Sequence, residues 1–120
     1  MKTADRCIAL LLVVACSLHS YGSSVYYAHA PITLVWALSG SLAGFLVAAV
    51  NFLRAGRGCD RPLAWISLGG SLGWFGVGFA VGKVTADLLD FRPLTHMILG
   101  AALAAMSSRT LLTAHRADAR

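Results

Sequence analysis

The chain carries little charge for its length. Only 12% of its 120 residues are charged, whereas 58% are hydrophobic and the mean hydropathy is +0.71. A soluble domain has about 25% charged residues. The sequence could not keep the surface of a globule of this size in water, so the scarcity of charge excludes a soluble domain and indicates a protein of the lipid bilayer.

Cysteines, metal-ligand spacings and catalytic motifs are also scarce. The three cysteines, Cys7, Cys16 and Cys59, are an odd number and build neither a disulfide framework nor a zinc site. The four histidines show no paired ligand spacing, and no G-x-S-x-G nucleophile motif occurs. We therefore expect no enzymatic activity, with no catalytic residue, no cofactor and no metal.

Three apolar runs are each long enough to cross a membrane as a helix. A bilayer core about 30 Å thick requires roughly 20 residues at a rise of 1.5 Å each. The runs cover residues 32–53, 63–82 and 94–112. They predict an all-α membrane protein with three transmembrane helices in a region spanning residues 31–113, followed by a basic tail over 114–120.

The first thirty residues have the layout of a secretory signal or signal anchor. Lys2 and Arg6 precede a short apolar core over 7–18, and a polar stretch follows over 19–24. Residues 28–30, Ala-His-Ala, suit signal peptidase, although Pro31 is unfavourable directly after a cleavage site. The sequence leaves three outcomes open: a short fourth hydrophobic helix that is retained, a cleaved leader, or a leader lipidated at Cys16. In each case an external linker follows.

The basic residues favour one orientation in the membrane. Lys and Arg near span ends stay on the cytoplasmic side. With the N-terminus inside, only Lys83 and Arg92 of the 10 basic residues fall outside. The topology-setting residues after the first segment are Arg54, Arg57, Arg61, Arg109, Arg116 and Arg120. We predict a cytoplasmic C-terminus and attribute the net charge of +5 to orientation and to attraction for anionic lipids, not to nucleic-acid binding.

Small residues recur at four-residue intervals in the spans, and such faces let helix backbones approach closely in a membrane. The predicted packing residues are Gly40, Gly44 and Ala48 on the second segment, Gly69, Gly73, Gly78 and Gly82 on the third, and Gly100, Ala104 and Ser108 on the fourth. Weakly polar stripes around Asn51 and around Ser71 accompany them and would meet each other or water. The pattern favours close helix packing, either within one molecule or in a homo-oligomer.

From about residue 32 to residue 113, the order of features resembles a bacteriophage holin of the lambda-related type with three transmembrane helices. Residues 51–54, Asn-Phe-Leu-Arg, close a span before a basic hairpin; residues 87–91, Asp-Leu-Leu-Asp-Phe, end the next span; and a small-residue helix leads to Arg109. The resemblance implies a protein that accumulates in the bacterial cytoplasmic membrane, oligomerises and forms lesions. Its partners would be the lipid bilayer, further copies of itself and an endolysin released for host lysis.

Two other classes stay open. Proton-coupled transporters of this size depend on a carboxylate buried in the membrane, and the predicted spans and residues 7–18 contain none. The one-sided basic charge also disfavours a dual-topology channel, whereas a channel with a single topology remains possible. A pilin-like accessory membrane protein would explain a cleaved leader.

For the charged turn after the third segment, we expect Lys83 or Arg92 to pair with Asp87 or Asp90.

Overall fold

The computed structural model describes residues 2–58 and 60–118, with the side chains of 115–118 left out of the description. It contains the α-helices α1 (Lys2–Tyr26), α2 (Pro31–Arg57), α3 (Arg61–Val84) and α4 (Phe91–Asp118), and no strand occurs among these residues. Four helices, including α1, are long and apolar enough to cross a membrane. The predicted all-α membrane class is confirmed, and the first segment is a helix of 25 residues, longer than its apolar core suggests.

The helices extend beyond the apolar runs because local capping groups, not hydropathy, set their ends. α2 continues to Arg57, so Arg54 lies in a helix and not in the predicted hairpin. The Asp60 side chain accepts a hydrogen bond from the backbone amide of Leu63 at 3.0 Å, and Pro62 stands in the first turn of α3. The predicted loop over 54–62 is therefore much shorter.

The end of α3 is a tight C-terminal cap. Ala86 takes a left-handed conformation with φ 57°, and the amide of Asp87 donates to the Gly82 carbonyl at 3.0 Å. The amide of Ala86 donates to the Lys83 carbonyl at 3.2 Å, which completes a Schellman motif. The predicted ion pairing in this turn is confirmed for Arg92, whose Nε lies 3.9 Å from Asp90 Oδ1.

Consecutive helices run antiparallel, and packing is most extensive within the hairpins α1–α2 and α3–α4. The bundle measures 59 × 24 × 21 Å. We call the end that holds the start of α1 and the α2–α3 connection the termini end, and the opposite end the far end. The interior contains mostly small side chains, and many large apolar side chains such as Leu46 and Ile66 are exposed on the outside, as expected where lipid is the solvent.

The predicted packing residues divide into two sets. Gly44, Ala48, Gly78, Gly82, Gly100 and Ala104 are buried between helices, and Ser108 is partly buried. A Cβ atom added at Gly100 would lie 3.0 Å from the backbone nitrogen of Phe75, so α3 and α4 touch there through their backbones. Gly40, Gly69 and Gly73 meet nothing within 4 Å. We call these three the uncovered glycines, since a Cβ atom added at each would meet no atom of another described helix within 4 Å.

Candidate functional site

A layer of uncharged polar side chains crosses the bundle interior. The Asn51 layer consists of Asn51 on α2, Ser67 and Ser71 on α3, and Ser107 on α4, all fully buried. Asn51 Nδ2 donates to Ser71 Oγ at 3.0 Å, and Ser107 Oγ lies 3.3 Å from Asn51 Oδ1 and 3.1 Å from Ser67 Oγ. The two predicted polar stripes therefore meet each other and not water.

Side chains of this layer also bond to their own helices. Asn51 Nδ2 is 3.0 Å from the Val47 carbonyl, Ser71 Oγ is 2.7 Å from the Ser67 carbonyl, and Ser107 Oγ is 2.9 Å from the Leu103 carbonyl. A serine hydroxyl has one proton, so its bonds across helices compete with the bond to its own helix. The layer therefore fixes the relative positions of three helices but adds little to the free energy of unfolding.

We expect Asn51→Ala to lower the free energy of unfolding by about 1 kcal/mol, the usual size of a hydrogen bond between membrane helices. The measurement is reversible unfolding in mixed micelles. Ser39→Ala is the matched control, because the exposed Ser39 hydroxyl bonds only to the Val35 carbonyl of its own helix, at 2.8 Å. Equal stability of the two variants would contradict a contribution from the layer.

A charged cluster lies at the termini end. Arg54 Nη1 is 3.1 Å from Asp5 Oδ2, and Arg109 Nη2 is 3.1 Å from Asp5 Oδ1. Asp5 is 5% exposed and Arg54 is 2% exposed, whereas Arg109 is partly open to the surface. One carboxylate thus joins α1 to both α2 and α4. We call Asp5, Arg54, Arg109 and Thr110 the Asp5 cluster.

Arg54 has further partners, yet its hydrogen-bonding capacity is not filled. Nη1 lies 2.7 Å from Thr110 Oγ1 and 3.2 Å from the Met106 carbonyl. Nε and Nη2 are buried and have no partner among the described residues. A guanidinium buried this deeply depends on its counter-charge, since an unpaired buried charge costs several kcal/mol.

The sequence reasoning missed this cluster. It began the apolar core at residue 7, gave Asp5 no role and found no carboxylate in a span, whereas α1 begins at Lys2 and buries Asp5. The signal that was available is helical spacing: Asp5 shares one face of α1 with Ala9, Leu12 and Cys16, all buried. The Arg partners lie on other helices, and no local pattern reveals them.

The other predicted topology-setting residues occupy different settings. Arg57 is exposed and lies 3.8 Å from Asp60, and Arg61 begins α3. The side chain of Arg116 and all of Arg120 lie outside the described residues, as does Cys59. The predicted basic groups that are described, Arg54 and Arg109 included, are gathered at the termini end.

An aromatic cluster lies toward the far end. The Trp74 ring on α3 stands edge to face with His96 on α4 at a centroid distance of 5.4 Å, and His96 does the same with His19 on α1 at 6.1 Å. Trp74 is buried between the helices. Sequence spacing could not pair His19 with His96, because they lie on the first and last helices. No group of three or more metal-binding side chains occurs among the described residues.

A cleft of about 780 Å³ opens beside this cluster, between α1 and α4. Its walls combine apolar, hydroxyl-bearing and basic side chains. The lining residues are Ala15, Leu18, His19, Gly22, Ser23, Tyr26, Tyr27, Phe91, Arg92, Thr95 and His96. The cleft is large enough for a small amphiphile, since ligand pockets have volumes of about 300–1,000 Å³.

The fold and composition define an α-helical protein with four helices able to span a membrane. No family model, curated protein or solved structure matches the chain.

Proposed function

We propose that the protein is a phage holin, which assembles in the bacterial cytoplasmic membrane and forms lesions that release an endolysin to the cell wall. The observation that carries the proposal is the set of uncovered glycines on α2 and α3, where an added Cβ would meet nothing within 4 Å. Glycine faces allow close backbone contact between membrane helices. Here no helix of the same chain uses them, so they are available to further copies.

Two other features support the proposal. The Asn51 layer holds uncharged polar groups inside the bundle, and in this proposal they reach the wall of a water-filled lesion when the helices separate and reassemble. The segment 87–91, which carries the resemblance to holins, joins α3 to α4: Asp87 Oδ1 accepts the backbone amides of Leu89 and Asp90, each at 3.0 Å. The orientation within this proposal puts the termini end in the cytoplasm, since Arg57 and Arg109 lie there.

The test is culture turbidity during induction of the chain together with a leaderless cytoplasmic endolysin. We expect growth to continue and then to stop in abrupt lysis, and we expect an uncoupler of the membrane potential to advance that lysis. The control culture carries the endolysin without this chain and should not lyse. Continued growth with the protein demonstrated in the membrane would refute the proposal.

Gly73→Leu is expected to delay or abolish lysis without reducing the amount of protein in the membrane. The leucine side chain would fill the open face of α3 at Gly73 and keep a second copy at a distance. Val77→Leu is the matched control, because Val77 is also exposed on α3, one turn further along. If Gly73→Leu lyses on the wild-type schedule at equal membrane levels, this face does not take part in assembly.

A second candidate is a proton-coupled transporter, which the burial of Asp5 favours. Buried carboxylates in membranes carry protons in many pumps and transporters. Asp5 ranks lower in that role because Arg54 and Arg109 both hold it as an ion pair. Proton flux into vesicles separates the two candidates: a transporter loses flux in Asp5→Asn, whereas a holin shows no substrate-dependent proton flux before lesions form.

A further inference from the structure

We propose that the cleft between α1 and α4 binds one anionic phospholipid, with its phosphate beside Arg92 and an acyl chain along Ala15 and Leu18. This inference does not depend on the holin proposal. It rests on the order of polarity along the cleft, on the charge at its mouth and on its volume.

The polarity of the cleft changes in one direction. Ala15 and the largely exposed Leu18 form its apolar end, His19 and His96 follow, and Arg92 stands with hydroxyl-bearing side chains and Phe91 toward the far end. From residue 15 to the end of α1 at Tyr26, the helix rises about 16 Å. A lipid whose head group lies at the membrane interface has its polar groups at that level and its acyl chains further in, so its polarity changes in the same order as that of the cleft and over a similar distance.

The basic side chain at the far-end opening of the cleft, which we call its mouth, selects the head group. The Arg92 side chain is 75% exposed, and its Nε is 3.9 Å from Asp90, a long ion pair. The same Asp90 oxygen already accepts the backbone amide of Arg92 at 2.8 Å. The guanidinium also lies over the Phe91 ring, with Cζ 5.7 Å from the ring centroid, so both of its contacts are long and it can still give a phosphate two parallel hydrogen bonds.

The aromatic side chains at the mouth suit a position at the lipid interface. Tyr26 and Tyr27 pack edge to face at a centroid distance of 5.1 Å, and Tyr26 is 82% exposed. Tyrosine is enriched at this level of a membrane, where its ring meets acyl chains and its hydroxyl meets head groups. Together with Arg92, the pair would hold an anionic head group at the far end of the bundle.

The experiment uses Trp74 as the reporter, since its ring lies 5.4 Å from that of His96, which lines the cleft. The exposed Trp36 and Trp65 are replaced by phenylalanine to remove their fluorescence. The full chain in detergent micelles is titrated with phosphatidylglycerol or phosphatidylcholine brominated in the acyl chain. We expect phosphatidylglycerol to quench Trp74 at an about fivefold lower concentration, the ratio for roughly 1 kcal/mol per basic side chain near an anionic lipid.

Two variants and their controls locate the lipid. Arg92→Gln should remove the preference for phosphatidylglycerol, whereas Arg57→Gln, an exposed arginine near Asp60 at the opposite end, should retain it. Gly22→Leu should reduce quenching by both lipids, because Gly22 lines the cleft and has nothing within 4 Å of its added Cβ. Gly76 also has nothing within 4 Å of an added Cβ but lies outside the cleft, so Trp74 in Gly76→Leu should be quenched by the lipids as in the parent.

Three results would overturn the proposal. Equal quenching of the parent by the two lipids would show that no anionic head group is selected. If Arg57→Gln loses the preference for phosphatidylglycerol as Arg92→Gln does, the preference comes from the net charge of the protein and not from Arg92. Unchanged quenching in Gly22→Leu, with helical content preserved by circular dichroism, would place the acyl chain elsewhere.

Discussion

Replacing Asp5 by asparagine is expected to lower the free energy of unfolding by about 3–5 kcal/mol, the cost of leaving a buried charge without its partner. The Arg54 guanidinium would stay buried, with its Nε and Nη2 already without partners among the described residues. Arg109 would lose its carboxylate too. Unfolding in mixed micelles measures the change, and the contacts of α1 with α2 and α4 should weaken first.

Asp60→Asn is the control for this experiment. Asp60 faces Arg57 at 3.8 Å, and the Arg57 side chain is 66% exposed. Asparagine can still cap α3, so only an exposed ion pair is lost, which costs about 1 kcal/mol at most. A loss for Asp5→Asn as small as that for Asp60→Asn would show that the buried pair is already compensated by water.

A double substitution separates charge burial from packing. Arg54→Met in the Asp5→Asn background removes the orphaned guanidinium and should restore much of the lost stability, because apolar residues of similar volume often replace buried ion pairs without penalty. If Arg54→Met adds a second, independent loss, the two side chains do not act as a pair.

Gly44→Leu is expected to separate α1 from α2. A single added Cβ at Gly44 would overlap Cys16 Sγ on α1 and lie 2.8 Å from the Trp74 ring on α3, so a leucine cannot be accommodated without moving a helix. Overpacking costs about 1–3 kcal/mol even for smaller insertions. Cys16 is fully buried, and its alkylation by a maleimide in a variant with Cys7 and Cys59 replaced by serine reports the separation.

Gly73→Leu provides the comparison for Gly44→Leu, because the residue change and the helical setting are the same and only the neighbours differ. Cys16 should stay protected in Gly73→Leu and become reactive in Gly44→Leu. Gly44→Ala should lie between the two. Protection of Cys16 in Gly44→Leu would mean that α1 and α2 are not in contact at this position in the membrane.

The helices α2, α3 and α4 could be predicted from sequence because bilayer thickness sets the length of an apolar span, which hydropathy records, whereas the short apolar core of α1 left a helix and a leader both open. Their ends could not, because the ends depend on single capping groups such as the Asp60 carboxylate and the left-handed Ala86. Four-residue spacing identified smooth faces on the helices. It could not tell Gly44, which is covered by Cys16 and Trp74, from Gly73, which is not covered.

The charged and aromatic clusters were beyond sequence reasoning for a related reason. Asp5 looks like part of the polar flank of a signal segment until α2 and α4 bring Arg54 and Arg109 against it. His19 and His96 are separated by most of the chain and meet only through the α1–α4 interface. Pairings between distant helices depend on the tertiary arrangement, and no local period encodes them.

The hydrogen bonds of the Asn51 layer determine where the bundle comes apart most easily. When the helices separate there, Ser71 and Ser107 each keep a carbonyl of their own helix as acceptor, and Asn51 keeps the Val47 carbonyl for one of its two amide protons. The Asp5 cluster has no such alternative, since Arg54 would lose Asp5, its one carboxylate partner among the described residues. Separation should therefore start at the far end and pass the Asn51 layer, about one helical turn from Arg54, before the Asp5 cluster opens at the termini end.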